Sequence, residues 1–299
     1  MTNFIQLVFA GLALGCNYAL VALGFTIIFK ASEVINFAQG EFLLVGAYVM
    51  SLAMFSSGLN FFVALLIGVA VTVAIGLIFE RLVLRRMIGR PPFTIIMVTI
   101  GLDVLLLEAV VLSVGGRLPR SPAPFDFTAG FTVGGVEFGS NSVATIVVTA
   151  LVCVALFAFL RYTRYGLAMR ATAIDQEAAQ AMGIRISRVY ALAWAISGAL
   201  ATIGGVFLAA NNTTFDTTLG STALVAFPAI ILGGLDSIPG AVIGGVIIGL
   251  IYELTQGYAS HLTPIFGTGF DLIVPYLVMI LVLLARPYGL FGTRKVERV

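Results

Sequence analysis

Residues 11–49 read GLALGCNYALVALGFTIIFKASEVINFAQGEFLLVGAYV. Their first part belongs to an apolar run from Phe4 to Phe29, longer than the roughly 20 residues that carry a helix across the hydrocarbon core of a bilayer. No basic segment precedes the run and it is far too long for a secretory h-region, so a retained transmembrane helix is expected. The run ends at Lys30-Ala31-Ser32-Glu33. A polar cluster of Asn36, Gln39 and Glu41 follows, then a small-residue helix containing Gly46-Ala47. Such a cluster marks a break in helicity and carries two readings. A half-helix end exposes backbone groups that hold the carboxylate or ammonium of a zwitterion. Alternatively, Asn36 and Gln39 cap a helix at the membrane surface.

The rest of the chain has the same character. Hydrophobic residues make up 60% of the 299 and charged residues 10%, with a mean hydropathy of +1.09. A soluble domain carries about 25% charged residues, so lipid is the expected solvent. A net charge of +2 with no basic run interleaved with aromatics argues against nucleic acid. Nine apolar segments can be marked: 4–29, 38–56, 60–80, 93–114, 142–160, 188–210, 222–238, 241–257 and 271–286. The seventh and eighth are short, and Gly233-Gly234-Leu235-Asp236-Ser237-Ile238-Pro239-Gly240 lies between them. They form either two thin spans or one re-entrant pair. The expected fold is an all-α, polytopic transmembrane bundle.

Basic residues orient the bundle. Lys30, then Arg81, Arg85, Arg86 and Arg90, then Arg161, Arg164, Arg170, Arg185 and Arg188, then Arg286, Arg294, Lys295 and Arg298 share one side if the segments alternate. Only Arg117 and Arg120 fall on the other. Loops 81–92 and 161–187 are therefore expected in the cytoplasm and the N-terminus outside. In the outer loop 115–141, Phe131-Thr132-Val133 and Val136-Glu137-Phe138 flank Gly134-Gly135. This pattern predicts a β-hairpin, which either caps the outer face or docks a solute-delivering partner.

This orientation turns segments one to four and six to nine into copies of opposite sense. The expected division is a repeat over 4–114, a linker helix at 142–160, a cytoplasmic coupling segment at 161–187 and a second repeat over 188–286. Leu219-Gly220-Ser221-Thr222 then answers to the 36–41 cluster, with Asn212, Ser221 and Thr222 near the outer face. Inverted repeats with interrupted helices accompany alternating access around a central site. The candidate solute path is Asn36, Gln39, Glu41, Asp103, Ser221 and Thr222, since ionisable and polar groups in lipid are costly.

Segment 161–187 contains Asp175, Glu177, Ala178, Ala179 and Gly183. Thr172 with Asp175 predicts a capping box, residues 173–182 a helix of about ten residues, and Gly183 its left-handed cap. Catalytic and metal motifs are missing: there is no HExxH, no GxSxG, and His261 is the single histidine. The two cysteines, Cys16 and Cys153, lie in apolar stretches and predict no disulfide. No GxxxxGK[ST] loop is present either, so energy must come from another subunit or from a gradient.

Glu177-Ala178-Ala179-Gln180-Ala181-Met182-Gly183 resembles the coupling motif of ABC importer permeases. Residues 11–49, together with the later AFPAIILGGLDSIPGAVIGGVIIG at 226–249, resemble LivH-type permeases of high-affinity branched-chain amino acid importers. The resemblance covers nearly the whole chain. It implies a non-enzymatic transport subunit in the bacterial inner (plasma) membrane, with no cofactor on this chain and ATP-Mg on partner subunits. The implied partners are a second, LivM-type permease, two ATP-binding subunits and a periplasmic or extracellular solute-binding protein. Related permeases serve urea and short amides. A stand-alone secondary transporter using Asp103 or Glu253 is the competing class, and the 173–183 helix separates it from the first.

Overall fold

The computed structural model describes residues 2–87, 90–115, 118–126, 129–210, 213–259, 267 and 269–293. Arg117, Asn212, His261, Arg294, Lys295 and Arg298 lie outside the described residues. The chain is a polytopic helical bundle. Its long helices are α1 (Thr2–Ser32), α2 (Gln39–Phe55), α3 (Phe61–Leu82), α4 (Pro92–Val114) and α5 (Ser140–Tyr162). Two short helices follow, α6 (Arg164–Ile174) and α7 (Gln176–Ala181). The second half holds α8 (Ile186–Ala209), the fragments α9 (Thr222–Val225) and α10 (Phe227–Gly233), then α11 (Ile238–Gly257) and α12 (Phe270–Ala285). Among the described residues, six helices are long and apolar enough to cross a membrane, namely α1, α3, α4, α5, α8 and α11. The shorter apolar helices α2, α9–α10 and α12 complete the nine segments.

Two kinds of helix are present. In α3, α4 and α5 less than a third of the apolar stretch is buried within the chain, against 83% in α1. The former present apolar side chains outward, as lipid-facing helices do, and α1 is the bundle's axis. It packs on α8 and α11, while α8 also packs on α2 and α3.

Lipid supplies no hydrophobic drive between helices, so close backbone approach through small residues has to hold them. A β-carbon on Gly15 of α1 would lie 2.7 Å from the Val246 Cα of α11. One on Gly245 would lie 2.6 Å from the Ala19 Cα, and one on Gly249 would strike the Gly15 backbone. Across the α3–α8 seam the glue is polar. Thr72 Oγ1 lies 2.7 Å from Thr202 Oγ1 and 3.1 Å from the Gly198 carbonyl. Thr72→Val is therefore expected to cost about 0.6–2 kcal/mol, the range for interhelical hydrogen bonds in membranes, read as a lower unfolding midpoint of the purified chain.

The hairpin forms as expected. Strands β1 (Gly130–Val133) and β2 (Val136–Gly139) pair antiparallel with Phe131 opposite Phe138. Gly134 and Gly135 both take positive φ, 62° and 82°, as a type I′ turn requires. The Phe138 ring meets Phe9 of α1 edge-on with centroids 4.7 Å apart, which ties the hairpin to the bundle.

Two local expectations need correction. The helix expected over 173–182 is only the six residues of α7, and α6 precedes it. Asp175 takes extended backbone (φ −156°, ψ 111°) and divides the two, and its carboxylate accepts from the Ala178 N–H at 2.9 Å. Asp175 is thus the cap, while Thr172 is buried in the last turn of α6. The seventh segment is no single span: it breaks into α9 and α10 and stops at Gly234. Ser221 and Thr222 lie beside the start of α2, as described next.

Candidate functional site

The stretch 33–38 between α1 and α2 is non-helical. Backbone of this kind survives at membrane depth only when it is buried in protein with its polar groups satisfied. Several of its donors find partners across the bundle or within the turn. The Ala38 N–H donates to Asn36 Oδ1 at 3.1 Å, the Phe37 N–H to Thr99 Oγ1 of α4 at 3.3 Å, and the Gln39 N–H to the Asn36 carbonyl at 3.3 Å. Asn36 is thus a local turn-former, while the N-cap position of α2 is Ala38, without a side-chain cap.

Gln39 opens α2 and is fully buried. Its Nε2 donates to the Ser197 carbonyl at 3.4 Å, and its Oε1 lies 2.6 Å from Ser197 Oγ. The Ser197 hydroxyl also lies 3.0 Å from the Gly24 carbonyl of α1. Ser197 is at the middle of the 24-residue α8, so α2 begins at the depth of that helix's midpoint and not at a surface. Asn36 Nδ2 donates to Gln39 Oε1 at 3.4 Å and links the extended stretch to the same knot. Replacing Gln39 by leucine would leave the buried Asn36 Nδ2 without this partner, at about 1–3 kcal/mol, while the Ser197 hydroxyl keeps only the Gly24 carbonyl. Gln39→Leu is expected to lower both the unfolding midpoint and the uptake rate several-fold, and full uptake would show that the knot is dispensable.

The second half brings its own break to the same place. A one-turn 3₁₀ helix (Thr217–Leu219) leads through Gly220 into α9. A β-carbon on Gly40 would strike the Gly220 carbonyl, and one on Gly220 would strike the Glu41 carboxylate. Phe227 of α10 stacks on Phe37 with ring centroids 6.1 Å apart. The two interrupted segments therefore face each other, start against start.

Glu41 lies between them. It is 6% exposed, and its Oε2 has no hydrogen-bond partner among the described residues. It belongs to the first turn of α2, where the unpaired amides of a helix start favour negative charge. Asp103 of α4, half-buried, is within Coulombic reach of Glu41. Ser221 is exposed and Thr222 half-buried. Of the six path candidates, Gln39, Glu41, Ser221 and Thr222 thus cluster around the Gly40–Gly220 contact, Asn36 adjoins it, and Asp103 flanks it. Ser197 and Gly220 complete the knot. Sequence reading missed Ser197 because nothing local distinguishes a serine in an apolar helix.

A second group occupies the basic end of the bundle. In α7, Ala179 is buried against the bundle, while Glu177 and Ala178 are exposed. Gly183 takes φ +86°, and the Ile184 N–H donates to the Ala179 carbonyl at 3.0 Å, closing the helix in a left-handed cap. Ile174 and Met182, flanking α7, are 87% and 84% exposed. Gln176 Nε2 donates to the Ala31 carbonyl of α1 at 3.3 Å, and Tyr190 OH donates to Gln176 Oε1 at 3.3 Å. The segment is thus pinned to α1 and α8 on one face and bare on the other.

Comparison with known proteins bears on this geometry. Residues 7–283 match the family model described as branched-chain amino acid transport system / permease component. The chain is 34% identical to the high-affinity branched-chain amino acid transport system permease protein LivH of Salmonella typhimurium, over 99% of this chain and 98% of that protein. It is 32% identical to the corresponding protein BraD of Pseudomonas aeruginosa, again over 99% and 98%. A probable LivH of Methanocaldococcus jannaschii is 34% identical over 94% of this chain and 90% of its own. With a match that spans both interrupted segments and the pinned α6–α7 element, the chain belongs to the family of branched-chain amino acid transport permease components.

Proposed function

We propose that this permease carries branched-chain or other amino acids into the cell as the membrane-spanning subunit of an ABC importer. It works beside a second, LivM-type permease, two ATP-binding subunits hydrolysing ATP-Mg, and a periplasmic or extracellular solute-binding protein, in the bacterial inner (plasma) membrane. The observation that carries this is the bare face of α7. Ile174, Glu177, Ala178 and Met182 stand exposed outside the apolar spans, on an element too short to persist without packing on something. A secondary transporter has no use for such a surface. Asp175, Glu177, Ala178, Ala179 and Gly183 build it, and the basic end that bears it is the cytoplasmic one.

The helix pairings support the two-repeat arrangement, with 4–114 and 188–286 as inverted copies, 142–160 as linker and 161–187 as coupling segment. α1 packs on α11 as α8 packs on α3, and α2 packs on α3 as α10 packs on α11. An axis relating α1 to α8 reproduces both pairs. The solute path then runs past the Gly40–Gly220 contact, with Gln39, Glu41, Ser221 and Thr222 beside it, Asn36 below and Asp103 behind.

The test is co-purification from native membranes with an uptake assay. ATP-binding subunits are expected to accompany the chain, and uptake of labelled leucine is expected to stop on ATP depletion. A chain that purifies alone and transports without ATP would overturn the reading in favour of gradient coupling. Competition by urea or acetamide at leucine-like concentrations would reassign the solute.

A further inference from the structure

A cavity of about 390 Å³ lies at the basic end, between the α6–α7 junction and the extended stretch after α1. Pockets that hold small molecules run from about 300 to 1,000 Å³, so this one suits a small solute. Its apolar lining includes Ile28, Ile95 and Trp194. Arg90 lines it as well, and so do Asp175 and Glu177 of the coupling segment. Glu33 of the extended stretch adds a third carboxylate, so one guanidinium faces a carboxylate-rich wall across an apolar surface, and an amino acid with an aliphatic side chain can use all three.

An independent observation points to a ligand. Thr172 lines the cavity, is 2% exposed, and its hydroxyl has no hydrogen-bond partner among the described residues. A buried hydroxyl in that condition costs about 1–3 kcal/mol until something supplies a partner. Asn36, 1% exposed, lines the cavity too and connects it to the Gln39–Ser197 knot.

We infer that this cavity is a second solute site, open to the cytoplasm, that binds a free zwitterionic amino acid and restrains the transport cycle. The carboxylate pairs with Arg90, the ammonium with Asp175 or Glu177, and the side chain lies on Trp194. The restraint follows from the walls. One wall is the coupling segment and another is the stretch leading to α2, and a ligand touching both favours the arrangement in which the cavity exists. A ligand shifts a conformational equilibrium by its difference in affinity for the two states. Delivered amino acid accumulating inside would then slow further import. The site rests on the geometry alone, and its regulatory consequence rests on the importer reading above.

Trp194 is the chain's single tryptophan, so binding can be read without transport. The full chain in nanodiscs, titrated with L-leucine, is expected to give a saturable change in tryptophan fluorescence. Arg90→Gln is expected to raise the midpoint about tenfold, the loss of one charge-assisted contact at 1.4 kcal/mol per decade. Thr172→Val is expected to raise it several-fold, and isocaproate, which lacks the ammonium, is expected to bind at least about tenfold more weakly than leucine, by the same conversion. No saturable change, or a midpoint unmoved by both variants, overturns the site.

A second arm uses the complete importer in proteoliposomes, comparing uptake into empty and leucine-loaded vesicles. Loading is expected to slow uptake several-fold, with the loaded-to-empty ratio closer to one in Arg90→Gln. Equal ratios in the two proteins overturn the restraint. Failure of uptake into empty vesicles would instead overturn amino acid import, while the fluorescence arm still decides the site.

Discussion

Gly249→Leu is expected to abolish uptake and to leave little chain in the folded form. The reason is where α1 and α11 touch. A β-carbon at position 249 meets the Gly15 backbone itself, and one at Gly15 meets the Val246 Cα at 2.7 Å. No flexible side-chain end can yield there, so the helices must separate along a seam that also includes Gly11 and Gly245. Overpacking a close-packed interior costs about 1–3 kcal/mol and sometimes more. A branched four-carbon side chain between two backbones belongs at or beyond the upper end. Membrane helices gain cohesion mainly from this close packing, and α1 is the axis on which α8 and α11 depend. A graded series checks the argument: the unfolding midpoint of purified chain is expected to fall from Gly249→Ala to Val to Leu. A leucine variant with unchanged midpoint and normal uptake would show that the seam opens freely.

The same helices explain what could be read in the sequence and what could not. Segments 60–80, 93–114 and 142–160 match α3, α4 and α5 to within about two residues at each end, within the scatter of helix-end assignment. Those helices face outward over most of their length, so hydropathy alone dictates their extent. The Gly134-Gly135 turn was legible because two successive positive φ angles leave few other residues possible, and Gly183 for the same reason. The interrupted segments were harder. Asn36, Gln39 and Glu41 announce a break, but not its depth. Depth is set by Gln39 reaching Ser197, 158 residues away, and no local pattern encodes that pairing. The meeting of Ser221 and Thr222 with the start of α2 was illegible for the same reason, since it rests on the Gly40–Gly220 contact. At 172–176 the error was of another kind. Both Thr172 and Asp175 are competent caps by composition, and only the extended backbone at Asp175 decides between them.

Gly183→Pro is expected to cut uptake by at least about tenfold while leaving the membrane bundle folded, a loss worth some 1.4 kcal/mol or more in coupling. Gly183 sits at φ +86°, and proline is locked near −65°, so the native turn cannot form. Proline also removes the N–H that donates to the Gln180 carbonyl at 2.9 Å, and with the turn lost the Ile184 N–H no longer reaches the Ala179 carbonyl. α7 has only six residues and cannot absorb that loss by shifting its end. Its bare face would then no longer be presented, although α1, α8 and α11 make their contacts elsewhere. Gly183→Ala separates geometry from size: alanine tolerates the left-handed region at about 1–2 kcal/mol and should give an intermediate defect. Glu177→Lys leaves the helix intact and reverses a charge on its exposed side. It is expected to reduce uptake comparably if a partner reads that face, with unfolding midpoint and oligomer size unchanged. Measuring ATPase activity beside uptake distinguishes the outcomes, since lost coupling predicts hydrolysis without transport, or neither, in a complex whose helices are intact. Normal uptake in both Gly183→Pro and Glu177→Lys would mean that the exposed element transmits nothing, and the case for an ATP-driven motor at this surface would have to rest on the family alone.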